Sequence, residues 1–138
     1  MQSVDVVMLD AQQPLPEHAV VLAETWPGVW PLHWRAHVRC LPGLAASAPL
    51  RAWAQGYAGR DQLLAAALRA RWEAEPWRWR FLLHAAQAGE LVLLATGCPV
   101  QLAVSQALAD LLNETLSRQA ERERRASPVC YADIVETA

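Results

Sequence analysis

The spacing of apolar positions along this chain changes at Pro99, and that change marks its central unit. Leu91 to Ala95 is a continuous apolar run, bounded by Gly89 on one side and by Gly97-Cys98-Pro99 on the other. An unbroken run of that length predicts a strand buried on both faces, with Gly89 ending a helix before it. Beyond Pro99 the apolar residues return every fourth position: Val100, Val104, Leu108, Leu112 and Leu116, with Ala107 and Leu111 on the same face. Gln101, Ser105, Asp110 and Asn113 fall elsewhere, so this stretch predicts an amphipathic helix. Strand, tight turn and helix together read as the second half of a βαβ-type layer.

Upstream, Val4–Leu9 and Ala19–Ala23 are two further β runs. The link between them, Asp10 to His18, carries Pro14 and Pro16 and is shorter than the roughly 10–12 residues a helical crossover needs. It predicts an antiparallel neighbour pair and therefore a mixed sheet. In Trp26-Pro-Gly-Val-Trp30-Pro-Leu-His-Trp34, Pro27 and Pro31 forbid a regular helix, which leaves a turn-rich segment whose indoles cover an edge of the core. Trp34 to Cys40 alternates, with Trp34, Ala36, Val38 and Cys40 on one face and Arg35, His37 and Arg39 on the other. That alternation predicts a half-exposed strand stopped by Pro42-Gly43.

Helices follow. Ser47 suits the N-cap of one running to Gln55 and ended by Gly56. Arg60–Glu75 places Leu64, Leu68 and Trp72 on one stripe. Pro76 suits the first position of a third helix reaching about Ala88, with Phe81, Leu82 and Ala85 inward. The last helix extends to Arg125, supported by Glu114–Arg118 and Glu121–Arg125 pairs, until Ser127-Pro128 breaks it. Val129 to Val135 reads as a short apolar tail that docks on the domain or on a neighbour. The expected architecture is α/β: a small mixed β-sheet of about four strands sandwiched by helices, with the domain over 1–117 and a helical extension and tail over 118–138.

Composition narrows the function classes. At 138 residues, 54 % apolar and 19 % charged, the chain can bury a core of its own and is not disordered. A net charge of −2 gives no general pull toward nucleic acid or anionic membrane. Cys40, Cys98 and Cys130 are an odd count without CxxC spacing, so neither a disulfide framework nor a zinc site is expected. The start lacks a basic, apolar leader, and no apolar run approaches the ~20 residues of a membrane span. A cytoplasmic protein is the expectation. Phosphate-loop, dinucleotide and metalloprotease motifs are missing, so no metal and no cofactor are expected.

With these elements in place, the chain resembles the YeaO-like family of small bacterial proteins, a domain-of-unknown-function family, over roughly residues 18 to 113. The likeness rests on a strand leading into Trp26-Pro27, on Leu50-Arg51-Ala52-Trp53 opening a helix, and on an arginine-rich helix ending near Arg69–Glu75. A Gly89-bounded strand follows, whose Leu93-Leu94 leads into a loop and a final helix. The family's polar positions depart here. Its Asp-Arg before Trp-Pro corresponds to Ala23 and Glu24, and its Arg after Trp-Pro to Gly28. Its Lys-Asp at the last strand's end corresponds to Cys98-Pro99, and its Asn-His-Ala to Ala103-Val104-Ser105. The resemblance therefore implies the fold without the polar lining.

Three groups carry candidate chemistry. Cys98, between a buried strand and a helix start, is placed where unpaired N–H groups favour a thiolate, although a small side chain filling an apolar corner would look the same. Arg35, His37 and Arg39, with Arg51 near them, could form an anion platform, or simply the charged face of an edge strand. Trp26, Trp30 and Trp34 could present a stacking or interaction surface, or pack the core. The expected function is a non-catalytic domain acting through protein contact or self-association. The alternative is an enzyme handling a small molecule or anion with Cys98 and Arg35 or Arg39.

Overall fold

Strands β1 (Asp5–Val7), β2 (Ala19–Val21), β3 (Val38–Cys40) and β4 (Val92–Leu94) lie side by side in the order β1-β4-β2-β3, in a computed structural model that describes residues 4–9 and 12–125. Every pairing is parallel, in register Val6–Leu93–Val20–Arg39. The α/β class with four strands is as expected. The mixed sheet is not: β1 and β2 are separated by β4 and run the same way. The expectation failed because the length a helical crossover needs does not bind strands this short. These strands are three residues long, about 10 Å, so the chain between β1 and β2, at about 3.3 Å per extended residue, can return and step past β4 without a helix.

The two sheet faces are covered differently. Val20, Leu93, Leu22 and Leu41 join one core with residues of α1 (Ala48–Gln55), α2 (Arg60–Ala74), α3 (Leu83–Gln87) and α4 (Pro99–Arg125). Ala19, Val21, Val38 and Leu94 form a second core with Trp30 and Trp34, and no helix of α type contributes to it. Among the described residues, then, the helices cover one face of the sheet and do not sandwich it. The proline-punctuated segment replaces one helical layer, because an indole buries some 150–250 Å² and two or three cover a sheet this narrow. Trp26 and Trp30 meet edge-on at 5.6 Å, and Trp30 and Trp34 are tilted at 5.7 Å.

Two further expectations are corrected. The strand proposed for Trp34–Cys40 holds only over Val38–Cys40; Leu32–Ala36 is a 3-10 turn that buries Trp34. Pro31 at its start, with its fixed φ and no N–H to give a strand ladder, favours the turn. The helix expected from Pro76 is two 3-10 turns (Pro76–Arg78 and Arg80–Leu82) leading into the short α3. Trp79 drives this: its indole N–H donates to the Trp72 carbonyl at 2.7 Å, folding the segment back onto α2. Leu82 is buried as expected, whereas Phe81 is turned outward.

Where the period was long and regular, the expectations hold. Leu64, Leu68 and Trp72 are buried along α2, and Val100, Val104, Leu108 and Leu112 along α4. Gly89 closes α3 in a left-handed conformation (φ 76°), with Glu90 N–H bonded to the Ala85 carbonyl and Gly89 N–H to that of Ala86. Glu121 pairs with Arg125, but the Glu114 carboxylate turns to Arg69 of α2 while Arg118 reaches only its carbonyl. The Ser127-Pro128 break, the apolar tail and Cys130 lie outside the described residues.

Candidate functional site

In parallel sheets ligand sites collect beyond the carboxyl ends of the strands, and here that edge holds a linked set of polar contacts. β4 ends at Leu94, and the chain turns through Ala95-Thr96-Gly97-Cys98 before α4 begins at Pro99. Proline at the first helical position gives up an N–H that would have no partner there. Thr96 Oγ1 accepts the Cys98 N–H at 3.3 Å, and the Thr96 N–H donates to Gln101 Oε1 at 2.9 Å. Gln101 is buried and also reaches across the sheet edge, its Nε2 lying 3.5 Å from the Leu22 carbonyl. One amide therefore ties the turn after β4 to the residues after β2.

Cys98 sits half-buried on this framework. Its Sγ accepts from Gln55 Nε2, at the end of α1, at 3.4 Å. One turn earlier on α1, Arg51 donates to Glu24 Oε1 at 2.9 Å and to the Ala46 carbonyl at 2.6 Å. Burial alone raises a thiol, but the N–H groups of Gln101 and Val100, the Gln55 amide and the Arg51 charge together outweigh it. The Cys98 thiol lies below its ordinary value. Cys40 goes the other way: burial pushes it up, and the nearby Arg35 only partly offsets that.

Of the residues singled out in the sequence, Arg51 is brought to Cys98 and the three indoles to one another, whereas Arg35, His37 and Arg39 are scattered. Arg35 belongs to the 3-10 turn beside Cys40. Arg39 stacks on Phe81 at 5.2 Å, on the helix side of the sheet. His37 lines a groove at the amino ends of β2 and β3 with Glu17 and His18, opposite the Cys98 edge. Arg51 is the arginine whose charge acts on Cys98. Trp30 and Trp34 are buried and Trp26 is half-buried, all within the second core. No group of His, Cys, Asp and Glu among the described residues is arranged to hold a metal ion.

The exposed aromatics lie elsewhere. Leu50, Trp53 and Tyr57 follow one another along and beyond α1, 43 %, 44 % and 70 % exposed. Arg60, at the start of α2, lies over both rings, 4.8 Å from Trp53 and 4.3 Å from Tyr57, and donates to the Trp53 carbonyl at 3.1 Å. The (i, i+3, i+7) spacing of Leu50, Trp53 and Tyr57 was the sequence signal for this surface. It reads equally as a buried stripe, and only packing shows which face α1 turns inward. Gln55 and Gln101 gave no signal, since nothing in their spacing points to a cysteine 43 or three residues away.

The fold and this edge define a small parallel α/β domain with a cysteine corner in place of a lined polar cleft. The family model that matches residues 7–132 is DUF488-N3i, described as the inactive DUF488-N3 subclade, and the chain belongs to that family. No curated protein and no solved structure matches it significantly. No helix among the described residues is long and apolar enough to cross a membrane.

Proposed function

We propose that the protein is a non-catalytic interaction domain whose contact surface is the outer face of α1 and the turn after it. The observation that carries this reading is the Leu50–Trp53–Tyr57 row with Arg60 stacked on its rings. Large aromatics and arginine are the side chains that dominate binding energy at protein interfaces, because they bury much area for little lost freedom. The family's description as inactive agrees with a domain whose role is contact, not turnover. The YeaO-like resemblance, with its polar positions replaced, belongs to the same reading. A photo-crosslinking residue in place of Trp53 or Tyr57, in the intact protein in its cell, should trap a discrete adduct with a second copy or another protein. If neither position yields one, the reading fails.

A second reading follows from the Cys98 thiol. Its lowered pKa, the Gln55 donor and the Arg51 charge are what thiol chemistry or anion binding would use. In this form the partner arginine is Arg51, not Arg35 or Arg39. Rapid, selective alkylation of Cys98 near neutral pH supports it, and an inert Cys98 removes it.

A further inference from the structure

Between α2, the Arg80–Leu82 turn and the distal half of α4 lies an open groove of about 1120 Å³. Its floor is apolar, made by Trp79, Leu83 and Leu111. Its walls carry Arg69, Arg80, Arg118 and Arg122 against Glu73 and Glu114. Arg69 satisfies both glutamates, which leaves the walls with an excess of positive charge on a chain that is acidic overall. Such a groove suits a short extended segment with alternating apolar and acidic residues.

The chain carries one such segment. After α4 come Val129, Cys130, Tyr131, Ala132, Asp133, Ile134, Val135 and Glu136, with two acids, no base and four large apolar or aromatic side chains. α4 ends at Arg125, less than one turn beyond Arg122 of the groove wall. Returning from Arg125 to the level of Asn113 requires about 18 Å along the helix, whereas residues 126–136 reach up to about 36 Å when extended.

We propose that residues 129–136 of this chain occupy this groove, seating Tyr131 or Ile134 on the Trp79–Leu83 floor and Asp133 and Glu136 against Arg80 and Arg122. Attachment through a short linker supplies an effective concentration of about a millimolar, so an intrinsic affinity of about 0.1 mM fills the groove nine-tenths of the time. The proposal is independent of the α1 surface and of Cys98 reactivity.

Cys130 is the built-in reporter. In the full chain, alkylation mapped by mass spectrometry should modify Cys130 about tenfold more slowly than a peptide spanning 126–138, which follows from nine-tenths occupancy. Arg80→Glu with Arg122→Glu should remove the slowing. So should Asp133→Arg with Glu136→Arg, which alters none of the groove's lining residues. All four changes together should restore it. A Cys130 that reacts at the free-peptide rate overturns the proposal, and so does slowing that ignores both charge reversals. Slowing that grows with protein concentration assigns the groove to a second copy's segment and overturns it too.

Discussion

Asn113 holds Val4 at both ends: its Oδ1 accepts the Val4 N–H at 2.7 Å and its Nδ2 donates to the Val4 carbonyl at 3.1 Å. The side-chain amide thus imitates a neighbouring strand for the residue just before β1, at the outer edge of the sheet. It joins positions 109 residues apart and pins the amino-terminal strand to the last helix.

Asn113→Ala should therefore lower unfolding stability by about 1–3 kcal/mol, since both Val4 groups lose a partner where water enters only partly. Asn113→Asp should cost at least as much, because a carboxylate cannot donate to the Val4 carbonyl. Urea unfolding with an unchanged m-value checks both.

Trp72 is 1 % exposed and Trp77 69 %. Trp72→Ala should cost about 3–5 kcal/mol through lost burial and the cavity left behind. Trp77→Ala should stay within about 0.5 kcal/mol. Comparable losses in thermal unfolding would contradict the placement of the 76–82 turns.

Alkylation of Cys98 should have a midpoint below that of an ordinary thiol, and that of Cys40 above it. Arg51→Ala or Gln55→Ala should each slow Cys98 at neutral pH, by removing a charge or donor that favours the thiolate. The linkage has a definite sign. A thiol titrating lower when folded contributes stability above its unfolded value, and that contribution is lost as pH falls through the folded value. The Cys98→Ala variant should lack this slope in stability measured across the alkaline range.

The hydroxyl of Ser105 is fully buried on α4 and meets no hydrogen-bond partner among the described residues. Ser105→Ala should raise stability by about 0.5–2 kcal/mol, through relief of an unpaired group and better helix propensity. A loss in urea unfolding would show that the hydroxyl has a partner, such as a bound water.

Legibility followed the length of each pattern. Along α2 and α4 the repeat runs for several turns, so chance matches are outweighed and the buried stripes read correctly down to Trp72 and Leu112. Gly89 was equally plain, because a positive φ is cheap only for glycine. The segments that misled are short. Seven alternating residues from Trp34 to Cys40 fit a strand, yet the first three belong to a 3-10 turn.

From the sequence alone came the α/β class, the central strand-turn-helix, the long helices and Cys98 at a strand-to-helix corner, because each depends on contacts local to a few turns of chain. Tertiary structure decided that β4 enters between β1 and β2, that indoles replace a helical layer, and that Arg51 stands by Cys98 while Trp53 faces outward. Those outcomes rest on which surfaces of distant segments meet. A local period says that a face is apolar; only packing says what covers it.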